Sequence, residues 1–170
     1  VFQLNNFRYD SPETKNIDEG AIVPSTIGKE LALYVVYYSP MQMAADLPKH
    51  YSKHMDAFAF IKNVPVEWSE RKILNSKFRE YVSMARKDKY SENWYVGGIT
   101  NENERDLKID FSFLDSGKEY TMKMYLDTQN THWKENPMEY QITERAVSSN
   151  DNIDIYLAPG GGFAIEIIAK

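Results

Sequence analysis

The sequence predicts a mostly β protein with an N-terminal helical segment, in which two or three buried helices are followed by an antiparallel β-sandwich. Three observations carry this expectation. Between Leu31 and Ile61, apolar side chains (Leu31, Tyr34, Val35 and Tyr38, then Tyr51, Met55, Phe58 and Ile61) recur at three- and four-residue steps, as one face of a helix requires. After Trp68 the period changes to two, the mark of strands with one face buried. Each strand pattern after Trp68 is followed by turn residues and none by a crossover helix, which leaves an antiparallel arrangement.

The elements follow in chain order. Residues 1–24 are rich in Asn, Asp, Pro and Gly without a sustained period and read as a long irregular loop. A structureless stretch above about 15 residues is usually functional or a fragment of something larger. A helix begins at Pro24-Ser25 with Ser25 or Thr26 as N-cap and runs to Tyr38, because Pro40 disfavours a helical Ser39. Ser39-Pro40-Met41-Gln42 then has the form of a capping box for a second, short helix that Pro48 ends. A third helix is expected over about 49–63, closing before Pro65.

From Arg71 the β pattern takes over. Its clearest case is Leu107 to Phe113, where Leu107, Ile109, Phe111 and Phe113 alternate with polar residues. The same alternation marks Tyr120 to Leu126, Ile153 to Leu157 and Phe163 to Ile167, with less regular runs at Tyr81 to Arg86, Trp94 to Ile99 and Tyr140 to Val147. Turn signals separate them at Asn101-Glu102-Asn103, Asp115-Ser116-Gly117, Ser148 to Asn152 and Pro159-Gly160-Gly161-Gly162. This register predicts that Leu107, Ile109, Phe111, Ile153, Ile155, Phe163 and Ile165 share one core.

Length and composition bound the possibilities. A chain of 170 residues, 42% of them hydrophobic, has enough apolar matter for a core and suits one domain or a little more. A net charge of -5 without a basic stripe argues against nucleic acid or an anionic membrane as partner. With no cysteine there are no disulfide or thiolate sites, and no apolar run approaches the roughly 20 residues of a membrane span. The chain begins at Val1 without an initiator Met or a signal peptide, so it reads as a mature or excised piece.

Several constellations could carry chemistry. His50 and His54 stand four apart on a predicted helix, but His-Tyr-Ser-Lys-His lacks the Glu of a zinc protease and offers no third ligand, so both are read as solvent-exposed. Gly160, Gly161 and Gly162 precede a strand and not a helix, which makes a flexible hairpin connection a better reading than a phosphate cradle. Trp94, Trp133 and Tyr140 are candidates for a sugar-stacking platform, with packing against sheets or helices as the competing role. The many carboxylates show no spacing that singles out an acid and a base for glycoside chemistry, and the run 101–105 is a solvated hairpin tip.

At LALYVVYYSPMQMAADLPKHY, DAFAFIKNVPVEW, ARKDKYSENWYVGGITNENERDLKIDFSFL, YTMKMYLD and APGGGFAI the chain resembles the C-terminal end of glycoside hydrolase family 97. That family contains bacterial exo-acting α-glucosidases and α-galactosidases, many from Bacteroides polysaccharide-use systems. The resemblance runs from Phe2 to Ala169. It implies that residues 1–66 are loop and helices from the end of a catalytic (β/α)8 barrel and that 67–170 form the C-terminal antiparallel sandwich.

It also implies that the calcium-binding glutamates and both catalytic carboxylates precede this chain. No catalytic, cofactor-binding or metal-ligating residue is therefore expected here, and calcium belongs to the full-length enzyme. The loop before Ser25 is then the part nearest an active-site rim. The implied partners are the rest of the barrel and, for the whole enzyme, an α-linked oligosaccharide; the implied location is the periplasm. A homodimer of the chain is a further expectation, since helices built to line a barrel either fold back on the sandwich or meet a second copy. The alternative reading is a carbohydrate-binding sandwich module, which calls for Trp94 and Trp133 exposed and coplanar.

Overall fold

The computed structural model describes residues 5–6, 21–46 and 48–170. The reading of residues 1–24 as an irregular loop therefore lies largely outside the described residues. Its two ends meet in a short antiparallel ladder of β1 (Asn5–Asn6) and β2 (Ala21–Ile22).

Helix α1 (Ile27–Val36) starts where expected, with Thr26 as its cap: the Lys29 amide donates to Thr26 Oγ1 at 3.1 Å. It ends two residues early, at Val36. The capping-box helix does not form. Ser39 Oγ donates to the Met41 carbonyl at 2.6 Å and accepts from its amide, so the hydroxyl closes a local turn and does not reach the third helical amide. Pro48 opens a helix and does not end one, as a proline at the first helical position can. The expected third helix is two pieces, α2 (Pro48–Tyr51) and α3 (Met55–Asn63), broken at His54, whose ring hydrogen-bonds Tyr140 and does not cap α3.

The strands are β3 (Trp68–Lys77), β4 (Tyr81–Asp88), β5 (Trp94–Thr100), β6 (Arg105–Asp110), β7 (Tyr120–Leu126), β8 (Gln141–Val147), β9 (Asn152–Leu157) and β10 (Gly162–Ala169). Six of them form an antiparallel sheet in the order β3-β4-β5-β10-β7-β8, and β6 pairs with β9 in a second sheet. Strand β3 has no counterpart in the expected pattern. It is an edge strand, exposed along most of its length, so no face of it needed apolar alternation. Strand β6 is shorter than its alternation suggested, because Asp110 caps the Ser112 amide at 2.7 Å and the chain turns at 111–114.

Alternation along the large sheet sends side chains to two different cores. Val96, Met122, Met124, Phe163, Ile165 and Ile167 point toward β6 and β9, where they pack on Leu107, Ile109, Phe111, Ile155 and Leu157. All seven residues expected to share a core are in this cluster, Ile153 half-buried at its edge and the other six buried. On the opposite face Tyr95, Tyr125 and Ala164 meet Leu31, Tyr34 and Val35 of α1 and Phe60 of α3. The large sheet is thus a middle layer with a two-stranded sheet on one side and helices on the other.

The Gly160–Gly162 segment is not a hairpin. Because β9 lies in the small sheet and β10 in the large one, it crosses between sheets, and its three glycines are buried.

Candidate functional site

The polar groups that the fold brings together lie where α1 meets the large sheet and the β7–β8 connection, residues 127–140. Asp127 is 2% exposed, one residue past the end of β7. Its Oδ2 accepts from the amides of Gly162 at 2.7 Å and Ala158 at 3.2 Å, so one carboxylate holds the crossing between sheets. Burial pushes its pKa up to about 6, against hydrogen bonds from Thr26, Gly162 and Ala158 and the charge of Lys29. The Lys29 ammonium donates to the Thr100 carbonyl at 3.0 Å, and burial lowers its pKa. A Cβ on Gly28 would come within 2.3 Å of the Gly162 carbonyl oxygen, which is how closely the helix approaches the crossing.

A second buried carboxylate, Glu166 on β10, faces the helices at 4% exposure. Asn63 at the end of α3 donates to it at 3.4 Å and Tyr125 at 3.5 Å, and burial raises its pKa. Asp127 and Glu166 each tie a helix to the sheet.

The candidate stacking residues do not come together. Trp94 is 2% exposed inside the sandwich core, its ring 4.9 Å from that of Phe113, and it presents no face to a sugar. Its position follows from the register, since it shares a face with Val96. Trp133 and Tyr140 belong to the β7–β8 connection and are half-buried. The Tyr140 hydroxyl donates to Asp56 at 2.7 Å and stands 3.2 Å from His54 Nδ1, which joins the connection to α3. Trp133 lies beside His132, with ring centroids 5.9 Å apart and planes inclined by 25°.

The paired histidines depart from expectation. His50 is buried at 5% exposure, with Nδ1 against the Asp46 carboxylate, and is not a surface residue. His50 lies in α2 and His54 in the break before α3, and the two have different partners. Among the described residues no group of three or more His, Asp and Glu is placed to hold a metal ion.

Sequence reasoning missed Asp127 and Glu166. Asp127 sits in Asp-Thr-Gln-Asn and reads as a turn residue, and its partners are 31 and 35 positions away. The one available signal for Glu166 was a charge within an apolar run, Phe163 to Ile168.

Comparisons with known proteins agree with this geometry. A family model described as "Glycosyl-hydrolase 97 C-terminal, oligomerisation" matches residues 67–168. A retaining α-galactosidase of Bacteroides thetaiotaomicron is 37% identical over 139 residues, covering 82% of this chain and 20% of its own length. A glycoside hydrolase family 97 enzyme from Pseudoalteromonas sp. strain K8, solved in complex with acarbose, superposes with a TM-score of 0.84 at 42% identity, over 88% of this chain and 23% of that one. A β-arabinopyranosidase shares the fold, with a TM-score of 0.70 at 22% identity over 95% of this chain and 24% of its own. The chain spans about a fifth of the length of the relatives it matches.

Proposed function

The chain belongs to glycoside hydrolase family 97, as part of its C-terminal region, and from that membership we propose that it is the structural C-terminal part of a calcium-dependent, exo-acting α-glycosidase whose catalytic carboxylates and calcium ligands lie outside it. In this reading α1 completes the wall of the catalytic barrel and the sandwich supports that wall from outside. The observation that carries it is the match to the family's C-terminal region over residues 67–168, in a chain that spans about a fifth of its relatives' length. The helix that precedes this region is docked on it: eight of α1's ten residues, Glu30 among them, are buried within this chain. The large sheet, covered on both faces, suits a support and leaves no concave face for a sugar.

The named relatives favour α-linked substrates: one is an α-galactosidase, and the Pseudoalteromonas enzyme binds acarbose and panose. The family description names oligomerisation, which favours an added role in self-association. The burial of Trp94 weighs against the alternative of a free-standing carbohydrate-binding module built on three aromatic residues.

The test is hydrolysis of nitrophenyl α-glucoside and nitrophenyl α-galactoside by residues 1–170 alone, with and without calcium. No turnover above an inactive-protein control is expected under either condition. Turnover by the chain itself would place the catalytic groups within it and end this reading.

A further inference from the structure

We propose that the β7–β8 connection forms an outer carbohydrate subsite, in which the stacked pair of His132 and Trp133 offers an aromatic ring face to a pyranose of an α-linked oligosaccharide whose end is processed in the adjacent barrel. This inference rests on the reading of the chain as part of an α-glycosidase, and deepens it by naming residues of the sandwich that meet the substrate.

Position is the first argument. The Ile27 amide, at the first residue of α1, donates to the Pro137 carbonyl at 3.2 Å, so the connection abuts the N-terminal end of that helix. In a (β/α)8 barrel the helices run antiparallel to the strands, and helix N-termini therefore lie on the face where the strand C-termini carry the active site. If α1 is a barrel helix, Trp133 stands at the catalytic end of the molecule and not at its back.

Shape and chemistry are the second. The His132 and Trp133 planes are inclined by only 25° with centroids 5.9 Å apart, a stacked pair of two half-buried rings. The indole is fixed from behind: its backbone amide donates to the Pro159 carbonyl at 3.2 Å, and a Cβ on Gly160 would fall 2.7 to 2.9 Å from the Trp133 side chain. Gly160 has φ of +66°, which suits a residue without a side chain. His132 Nδ1 accepts from the amides of Lys134 at 3.2 Å and Glu135 at 3.3 Å, which in the neutral ring places the proton on Nε2 as a donor for a sugar hydroxyl. Lys134 and Glu135, the next two residues in the chain, are exposed and can supply a donor and an acceptor to sugar hydroxyls.

Preorganisation is the third. Glu139 accepts from Thr128 at 2.6 Å, Asn136 at 2.6 Å and Asn130 at 3.4 Å, and Thr131 Oγ1 donates to the Glu139 carbonyl at 2.9 Å. A connection cross-linked in this way holds its aromatic pair in place before ligand arrives, which lowers the ordering cost of binding.

The experiment compares the full-length enzyme with its Trp133→Ala and Trp133→Phe variants on a nitrophenyl α-glycoside and on α-linked tri- and tetrasaccharides. The quantity read is kcat/KM for the oligosaccharide divided by kcat/KM for the nitrophenyl glycoside. Loss of a stacking face should lower this ratio about tenfold in Trp133→Ala, chiefly through KM, and by less in Trp133→Phe. A ratio that stays at the parent value in both variants overturns the subsite while leaving the α-glycosidase reading intact. A parent enzyme that hydrolyses no α-linked substrate overturns both. Should Trp133→Ala fail to fold, Trp133→Phe, which keeps an aromatic ring against Gly160, decides the matter by the same ratio.

Discussion

Asp127 shows how much of the junction between helix and sheet depends on one side chain. Its carboxylate accepts two backbone amides from the inter-sheet crossing, yet burial lifts its pKa from an ordinary 3.8 to about 6. A carboxyl whose folded pKa exceeds its unfolded one binds more protons in the folded state between those two values. Stability therefore falls as pH rises from about 4 to about 6 and levels off above, by about 3 kcal/mol for a gap of roughly two pH units. Asp127→Asn keeps an oxygen acceptor for the amides and cannot titrate. Urea unfolding of both proteins between pH 4 and 7 should show the parent losing stability relative to the variant across that window, while Glu30 and Glu166, shared by both, cancel. Parallel pH profiles would refute the assignment. The core residues were legible one by one, since Trp94 and Val96 share the parity that buries both. Asp127 was not, because its role depends on partners brought near only by the fold.

At the scale of elements, what period and capping residues encode locally was legible, and what long-range contacts decide was not. Thr26 caps α1 as its position suggested, whereas the equally good capping box at Ser39 lost to a hydroxyl that turned back on Met41. Strand β3 escaped notice because an exposed edge has no apolar face to alternate. Its charged residues Glu70, Arg71, Lys72 and Lys77, with register shifts after Trp68 and Ile73, also protect that edge from pairing with another chain. The packing of α1 on β5 depends on Gly97, where a Cβ would sit 2.8 Å from the Ala32 carbonyl oxygen and 2.9 Å from Val35 Cβ. Because one of those atoms is backbone, the helix itself must move to admit a methyl group. Gly97→Ala should therefore cost about 1–3 kcal/mol, read as a lower urea midpoint at unchanged slope. An unchanged midpoint would show that the helix docks more loosely than these distances imply.

At the largest scale the described residues from 27 onward form a six-stranded sheet held between a small sheet and a layer of helices, and the change of period near Trp68 marked in the sequence where helices give way to strands. The second buried face of the large sheet was less visible, because Tyr95, Tyr125 and Glu166 are polar or amphipathic and read as solvent-facing until α1 and α3 cover them. That face is the basis of the central claim, that the sandwich supports a wall of the catalytic barrel. Leu31, Tyr34, Val35 and Phe60 are at most 2% exposed and rest on the sheet. At about 1.5–3 kcal/mol for each large buried side chain, losing the sheet removes stabilisation comparable to the 5–15 kcal/mol margin of a typical domain. The most direct test is the full-length enzyme ended after Val66, with its melting transition and its kcat/KM on a nitrophenyl α-glycoside measured beside the parent's. Loss of both the cooperative transition and the activity, with every residue before position 67 retained, is the predicted result; a truncated enzyme that melts and turns over like its parent would contradict it.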